Sequence, residues 1–235
     1  MHRDNLRSLS YHLHVKILIV EDDEDIRTLI RYHLSAAGFE IDEAADGEKA
    51  VEKLDGSLSL VVLDLMLPRL SGLEVLSAIR KDHPSLPVIV TSALTEENDI
   101  LTALERGADD YVTKPFSPKI LVARVRSVLR RTERNDGEQV ATDGGIILDK
   151  GRRECFVSST PVSLTATEFD ILRSLIEADG RVMRRTELIE KIKGDDYPVT
   201  ERSVDVQIAS LRKKLGSMGK GIITVWGIGY RYAEE

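Results

Sequence analysis

Five residues in the first half of the chain have side chains that could do chemistry together, and each closes or follows a short apolar run. Glu21 and Asp22 follow KILIV, Asp64 ends LVVLD, Ser92 follows PVIVT and Lys114 follows DYVT. Three carboxylates gathered in one place repel: unit charges ~5 Å apart at an effective dielectric of ~20 cost about 3 kcal/mol. A cation must offset that cost, and Lys114 supplies one. Oxygen ligands without a neighbouring histidine suit a hard ion, and Mg²⁺ needs only one or two carboxylates completed by water and phosphate oxygens. An aspartate is a weak nucleophile, yet beside Mg²⁺ it can take a phosphoryl group as an acyl phosphate. Asp64 is the candidate acceptor. Mg²⁺ and Lys114 would neutralise the developing charge, and Ser92 can donate to a phosphoryl oxygen. The histidines His2, His12, His14, His33 and His83 show no metal-binding spacing tied to these carboxylates.

These side chains meet only if the runs before them lie side by side. Strands are expected at 16–21, 39–44, 59–64, 87–91 and 110–113. Between them lie helical patterns, with Ile26, Leu29, Ile30, His33 and Leu34 on one face and Leu73, Leu76 and Ile79 on another. Strands apolar almost throughout suit a parallel sheet covered on both faces, so the alternation predicts an α/β doubly wound five-stranded parallel sheet. In such sheets functional groups collect at the carboxyl ends of strands near the switch in strand order, where all five candidates fall.

Plainer readings compete. An acidic run such as 21–25 alone reads equally well as a solvated helix start, Ser92 alone as a structural hydroxyl and Tyr111 as core. Asp64 and Lys114 in register with the acidic run favour the chemical reading. Enzyme readings fit less well. An aspartyl phosphatase commonly carries a second acid two residues on, where this chain has Asp64-Leu65-Met66. A dinucleotide or flavin domain wants a glycine-rich loop after the first strand, where Glu21 and Asp22 would repel phosphate. Neither reading survives well, and no enzyme activity on a separate substrate is expected.

At 235 residues the chain exceeds the usual single domain. No apolar run approaches the roughly 18 residues of a membrane helix. Residues 1–14 lack a secretory pattern and are expected to be an extension or tag outside the fold. The lone cysteine, Cys155, excludes an intrachain disulfide, and with no export signal it points to a reducing cytoplasm. Residues 15–130 form the first expected domain, with 14 Lys+Arg against 21 Asp+Glu. The polar, aperiodic stretch 131–139, RTERNDGEQ, is an expected linker. Residues 140–235 form the second domain, balanced at 15 of each sign. That balance gives no case for non-specific polyanion binding, so DNA binding must rest on local clusters.

In the second half, β-like pieces at 145–148, 154–157 and 160–164 precede a helix opened by Thr165-Ala-Thr-Glu168, a capping box. Phe169, Leu172, Leu175 and Ile176 form its apolar stripe. A second helix is expected over about 184–192 and a third over roughly 200–215, with Val204, Ile208, Leu211 and Leu215 inward. IITVWGIGYRY reads as a terminal hairpin turning at 227–229. Strands, three helices and a hairpin suggest an α+β winged helix-turn-helix. Projection of the third helix turns Arg202, Val206, Ala209, Ser210 and Lys213 outward, where a major groove could receive them. Arg212, Lys213 and Lys214, with Arg184 and Arg185, supply local positive charge.

The first half resembles the receiver domain of bacterial response regulators, in KILIVEDDEDIR, VVLDLMLPRLSG, PVIVTSA and GADDYVTKPFSP. The second resembles the effector domain of OmpR/PhoB-type regulators, in LTATEFDILRSL, RSVDVQIASLRKKLG and TVWGIGYRY. The resemblance implies a flavodoxin-like receiver with Glu21 and Asp22 as the acidic pair, Asp64 as phosphoacceptor and Met66 as a carbonyl ligand of Mg²⁺. It makes Ser92 the switch hydroxyl, Tyr111 the switch aromatic and Lys114 the phosphate-pairing lysine, with Asp23 a neighbour rather than a ligand. It implies a sensor histidine kinase, promoter DNA and RNA polymerase as partners, and a homodimer through the receiver's fourth helix, fifth strand and fifth helix. Asp110 and Arg124 keep a charge pair on that surface. Leu94 and Ile120 stand where members often have an arginine and an acid, and Arg106 where an acid is common. More basic members carry arginines in place of Ala209 and Ser210, and many carry a wing arginine in place of Trp226. Binding by one effector domain should then be weak, with affinity restored by a tandem dimer on two half-sites. The alternative function is a phosphorylation-independent DNA binder whose receiver serves for dimerisation.

Overall fold

The computed structural model describes residues 15–133, 139–142, 145–193 and 201–233. The expected extension at 1–14 and the middle of the expected linker, 134–138, lie outside the described residues. The chain divides into two compact units, Met1–Arg126 and Ser127–Glu235.

In the first unit, β1 (Lys16–Val20), β2 (Glu40–Ala44), β3 (Leu58–Asp64), β4 (Val88–Ser92) and β5 (Asp110–Thr113) form one sheet in the order β2-β1-β3-β4-β5. All its pairings are parallel. Successive residues of a strand face opposite sides. Ile17, Leu18, Ile19 and Val20 are all buried, as are all five residues of β4, so both faces of the central strands are covered. That is why these strands read as unbroken apolar runs. The chain passes from β1 outward to β2 and returns to β3 on the other side of β1. The switch in direction therefore falls between β1 and β3, and their carboxyl ends deliver Glu21, Asp22 and Asp64 there.

The intervening helices are α1 (Glu24–Ala36), α2 (Gly47–Glu52), α3 (Gly72–Asp82), α4 (Glu97–Glu105) and α5 (Pro118–Glu133). Asp23 is the N-cap of α1, accepting from the Asp25 and Ile26 amides at 2.9 and 3.0 Å. The acidic run is thus divided: Glu21 and Asp22 belong to the strand end, while Asp23, Glu24 and Asp25 suit the positive end of the helix. At the far end of the sheet Arg80 is a clamp. It donates to the carbonyls of Gly107 and Leu86 at 2.8 and 2.6 Å, and to the fully buried Asp109 at 2.9 Å. Asp109 also accepts from the Val88 amide at 3.0 Å, tying the starts of β4 and β5 to α3.

The expected linker is partly structured. Helix α5 runs through Glu133, and β6 (Gln139–Ala141) pairs antiparallel with β7 (Ile146–Asp149). The second unit continues with β8 (Glu154–Val157) and β9 (Thr160–Val162), completing a sheet in the order β6-β7-β8-β9. Three helices follow, α6 (Ala166–Glu177), α7 (Arg185–Lys193) and α8 (Glu201–Leu215), with β10 (Met183–Arg184) between the first two. A 3₁₀ turn over Gly216–Gly221 leads into β11 (Ile222–Val225) and β12 (Gly229–Tyr232), and β12 is the centre of the sheet β10-β12-β11. Phe169, Leu172 and Leu175 of α6 meet Val204, Ile208, Leu211 and Leu215 of α8 in one apolar core. The inward stripe expected of the third helix is the buried one.

Candidate functional site

The ends of β1, β3 and β5 bring Glu21, Asp64 and Lys114 into direct contact. Lys114 Nζ donates to both Glu21 carboxylate oxygens, at 2.8 and 2.7 Å, and to Asp64 Oδ2 at 2.6 Å. Glu21 and Asp64 are almost fully buried, whereas Asp22 is exposed. One carboxylate oxygen from each of Glu21, Asp22 and Asp64 lies within 4.8 Å of the others. Burial pushes Glu21 up to about 7; the Lys114 hydrogen bond draws it back down, and the Asp64 charge adds to the rise. Burial acts on Lys114 in the opposite sense, but its bonds to Asp64 and Glu21 win and hold the ammonium above its ordinary value. The single ammonium therefore neutralises part of a cluster whose three charges sum to more than it carries. An all-oxygen donor set with surplus negative charge fits a hard divalent ion.

The remaining predicted residues sit around this centre. Asp64 Oδ1 accepts from the Met66 amide at 3.0 Å, which fixes the first turn of the loop after β3, and the Met66 side chain is exposed. Gly72 closes that loop. A Cβ there would lie 2.1 Å from the Asp64 carbonyl oxygen, so the position admits no side chain. Ser92 is fully buried, and its hydroxyl accepts from the Leu94 amide at 3.2 Å. Tyr111 is buried and donates from its hydroxyl to the Leu94 carbonyl at 2.8 Å. Both switch candidates thus grip the same residue. The Lys114–Pro115 peptide is cis.

On the expected pairing surface, Leu94 and Ile120 are exposed large apolar side chains and Arg106 is exposed. Asp110 is buried and paired with Arg124 at 3.2 Å within the same chain. That pair is an internal tie.

Sequence reading missed Arg27 and Arg69. Arg27 donates to the Glu21 and Asp22 carbonyls at 2.7 and 3.1 Å and so holds the loop that carries the acidic pair. Its position four residues after Asp23, on the first turns of α1, was the available signal. Arg69, at φ 68°, pairs with the buried Asp46 and with Glu48, pinning the loop after β3 to the start of α2. Nothing local in the sequence announces that pair.

In the second unit the predicted contact residues divide. Arg202, Ala209 and Lys213 are exposed on α8, and Val206 is half-buried. Arg184 is exposed on β10, though within 3.7 Å of Glu187, and Trp226 stands at the hairpin turn, 89% exposed. The others are engaged internally. Ser210, projected outward from helical periodicity, donates instead to Glu168, and Lys214 donates to Glu168 at 2.6 Å. Glu168, itself buried, also accepts from the Thr165 amide at 2.8 Å, completing the capping box of α6. Arg185 donates to Asp205 at 2.7 Å. Arg212 donates to the Ile222 carbonyl at 2.6 Å and to the Thr224 hydroxyl at 2.8 Å. Tyr230 donates to Asp205 at 2.6 Å. Helix α8 is therefore bolted to the hairpin through Asp205 and through Arg212.

Two family models match the chain: "Response regulator receiver domain" over residues 17–126, and "Transcriptional regulatory protein, C terminal" over 159–232. The chain is 38% identical over 223 residues to the phosphate regulon transcriptional regulatory protein PhoB of Pseudomonas aeruginosa, covering 93% of this chain and 97% of that protein. It is 39% identical over 222 residues to the response regulator MprA of Mycolicibacterium vanbaalenii, covering 92% and 96%. Among solved structures it is similar to the response regulator DrrB, described as a Thermotoga maritima OmpR/PhoB homolog, with 33% identity, a TM-score of 0.52 and coverage of 94% and 99%. Among the described residues no helix is long and apolar enough to cross a membrane.

Proposed function

Because the chain belongs to the OmpR/PhoB family of response regulators, we propose that Asp64 accepts a phosphoryl group from a sensor histidine kinase and thereby controls binding of promoter DNA by the second unit. The observation that carries this reading is Lys114 shared between Glu21 and Asp64 at the strand ends.

Glu21, Asp22 and Asp64, with the Met66 carbonyl, would hold Mg²⁺. When bound, that ion supplies charge neutralisation for the transferring phosphoryl oxygens. The chain's own residues do the rest. An Asp64 oxygen forms the new bond to phosphorus as the bond to the kinase imidazole breaks, leaving the nitrogen with the bonding electrons. Lys114 exchanges its bond with Asp64 for one with a phosphoryl oxygen. The Ser92 hydroxyl turns from Leu94 to donate to the same group. Since Tyr111 is anchored on the Leu94 carbonyl, a shift at Ser92 changes the energy of the Tyr111 position. The surface of α4, β5 and α5, with Leu94, Arg106 and Ile120 exposed on it and the Asp110–Arg124 pair bracing it from within, then favours a receiver homodimer, which places two second units on tandem half-sites in the cytoplasm and presents them to RNA polymerase.

The test is incubation of the full chain with Mg²⁺ and acetyl phosphate, followed by intact mass and sedimentation. A single phosphoryl adduct lost in Asp64→Ala, together with dimerisation lost in the same variant, is the expected result. No adduct on the wild type refutes the acceptor role. An adduct with equal dimerisation in both proteins favours the phosphorylation-independent binder, a reading that the exposed Leu94 and Ile120 support.

A further inference from the structure

The hairpin of β11 and β12 turns through residues 226–228, closed by the Ile228 amide donating to the Val225 carbonyl at 3.0 Å. Gly227, at φ +74°, permits that turn. Its two flanking side chains are the most exposed bulky apolar groups among the unit's described residues: Trp226 at 89% and Ile228 at 52%. Trp226 is the single tryptophan of the chain, and it has no ring or hydrogen-bond partner among the described residues. An indole left in water forgoes about 2 kcal/mol or more of burial, so a turn built only to connect two strands gains nothing from it.

The surroundings select the partner. Residues 216–233 contain Lys220 and Arg231 and no acid. Arg184 lies on the neighbouring strand, opposite Gly229 at the base of the turn, where it is exposed while it also pairs with Glu187 at 3.7 Å. The tip is held rigidly to α8 by Arg212 and by the Tyr230–Asp205 bond, so it stands at a fixed offset from exposed Arg202, Ala209 and Lys213. An apolar point rimmed by cations complements a polyanion with an apolar slot. The minor groove of DNA is such a slot, walled by deoxyribose faces and floored by base edges.

We infer that Trp226 and Ile228 form an apolar wedge that enters the DNA minor groove and presses on a base step, an uncharged contact beside the cationic ones. It rests on the DNA-binding reading of the second unit and adds to it a mode of contact: affinity insensitive to salt, and a preference for steps that open at low cost, such as TA and CA/TG.

The lone tryptophan makes the test direct. The full chain, treated with Mg²⁺ and acetyl phosphate, is titrated with short duplexes selected from a random-sequence pool by binding to that chain. Complex formation is followed by anisotropy of the labelled duplex and, separately, by Trp226 emission. The inference expects quenched, blue-shifted emission on complex formation, reversed by netropsin, which fills the minor groove. Trp226→Ala should weaken binding about tenfold, the size of one aromatic–base contact, with an unchanged slope of log affinity against log salt. Trp226→Phe should restore most of the loss. Trp226→Arg should steepen the slope by about 0.9, one added phosphate contact. An anisotropy complex with unmoved Trp226 emission overturns the wedge while leaving DNA binding intact. So does emission that shifts with chain concentration in the absence of DNA, which would assign the tip to a second copy. No complex with any duplex removes the DNA-binding reading, and the wedge with it.

Discussion

Lys213 and Lys214 are neighbours in sequence, and the structure gives them opposite fates. Lys213 is exposed on α8 with no ion pair among the described residues. Lys214 is one-third exposed and bonded to Glu168, whose carboxylate is 2% exposed. Replacing Lys214 by alanine leaves a buried carboxylate held only by Ser210 and the Thr165 amide. An exposed ion pair is worth about 0.2–1 kcal/mol and breaking a buried one costs about 3–5 kcal/mol, so this half-covered pair should cost about 2 kcal/mol. For a unit of this size that lowers the unfolding midpoint by roughly 10 °C. Its contribution to DNA binding is spent internally, so the salt slope should not change. Lys213→Ala should do the reverse, leaving stability within about 0.5 kcal/mol while reducing the salt slope by about 0.9, a loss of about 3.5-fold in the affinity change between ~50 and ~200 mM salt. Calorimetry, with hydrogen exchange at α6 and α8, measures the first effect, and duplex anisotropy over a salt series the second. If Lys214→Ala flattens the salt slope with stability intact, the assignment of Lys214 to Glu168 is wrong and both lysines face DNA.

Three further outcomes follow from the geometry. Asp109→Ala should destabilise the first unit by about 3–5 kcal/mol, since it removes the buried carboxylate that Arg80 and the Val88 amide share; calorimetry showing an unchanged first-unit transition would contradict the clamp. Gly72→Ala should cost about 1–3 kcal/mol by forcing α3 away from the Asp64 backbone, and phosphorylation by acetyl phosphate, read by intact mass, should slow with it. Burial pushes the Cys155 thiol up to about 11. The protonated form is therefore favoured in the fold, a contribution complete below the ordinary value and lost as pH rises toward 11. Iodoacetamide at pH 8 should label Cys155 in urea and spare it in the native chain; rapid native labelling would show that the strand opens.

The meeting of Glu21, Asp64 and Lys114 was legible in the sequence because each of them ends or follows a largely buried strand, and a parallel sheet aligns those ends. The inward stripe of α8 was legible because its period is intrinsic to the helix. Ser210 and Lys214 were not legible as Glu168 ligands, since their partner lies 42 and 46 residues away and only tertiary packing brings it under α8. A helical projection assigns direction from the helix axis alone and cannot see a buried acid on a neighbouring helix. Strand β6 was hidden for a different reason: its three residues follow a polar, aperiodic stretch and gain their pairing from β7. Arg69 escaped notice because its left-handed backbone and its bond to Asp46 are both products of loop closure.

The internal engagement of Arg185, Arg212 and Lys214 bears on how such a molecule finds its target. Random genomic DNA retains a protein through phosphate contacts, and each cation engaged inside the fold is one fewer to prolong that retention. Search would proceed by repeated short visits rather than by long sliding. Each visit tests shape and base edges before electrostatics can hold the chain in place, so a modest affinity is compatible with a high ratio of correct to incorrect occupancy. In this molecule Glu168 engages Lys214 and Asp205 engages Arg185 within the fold, so neither cation counts among the fully exposed ones.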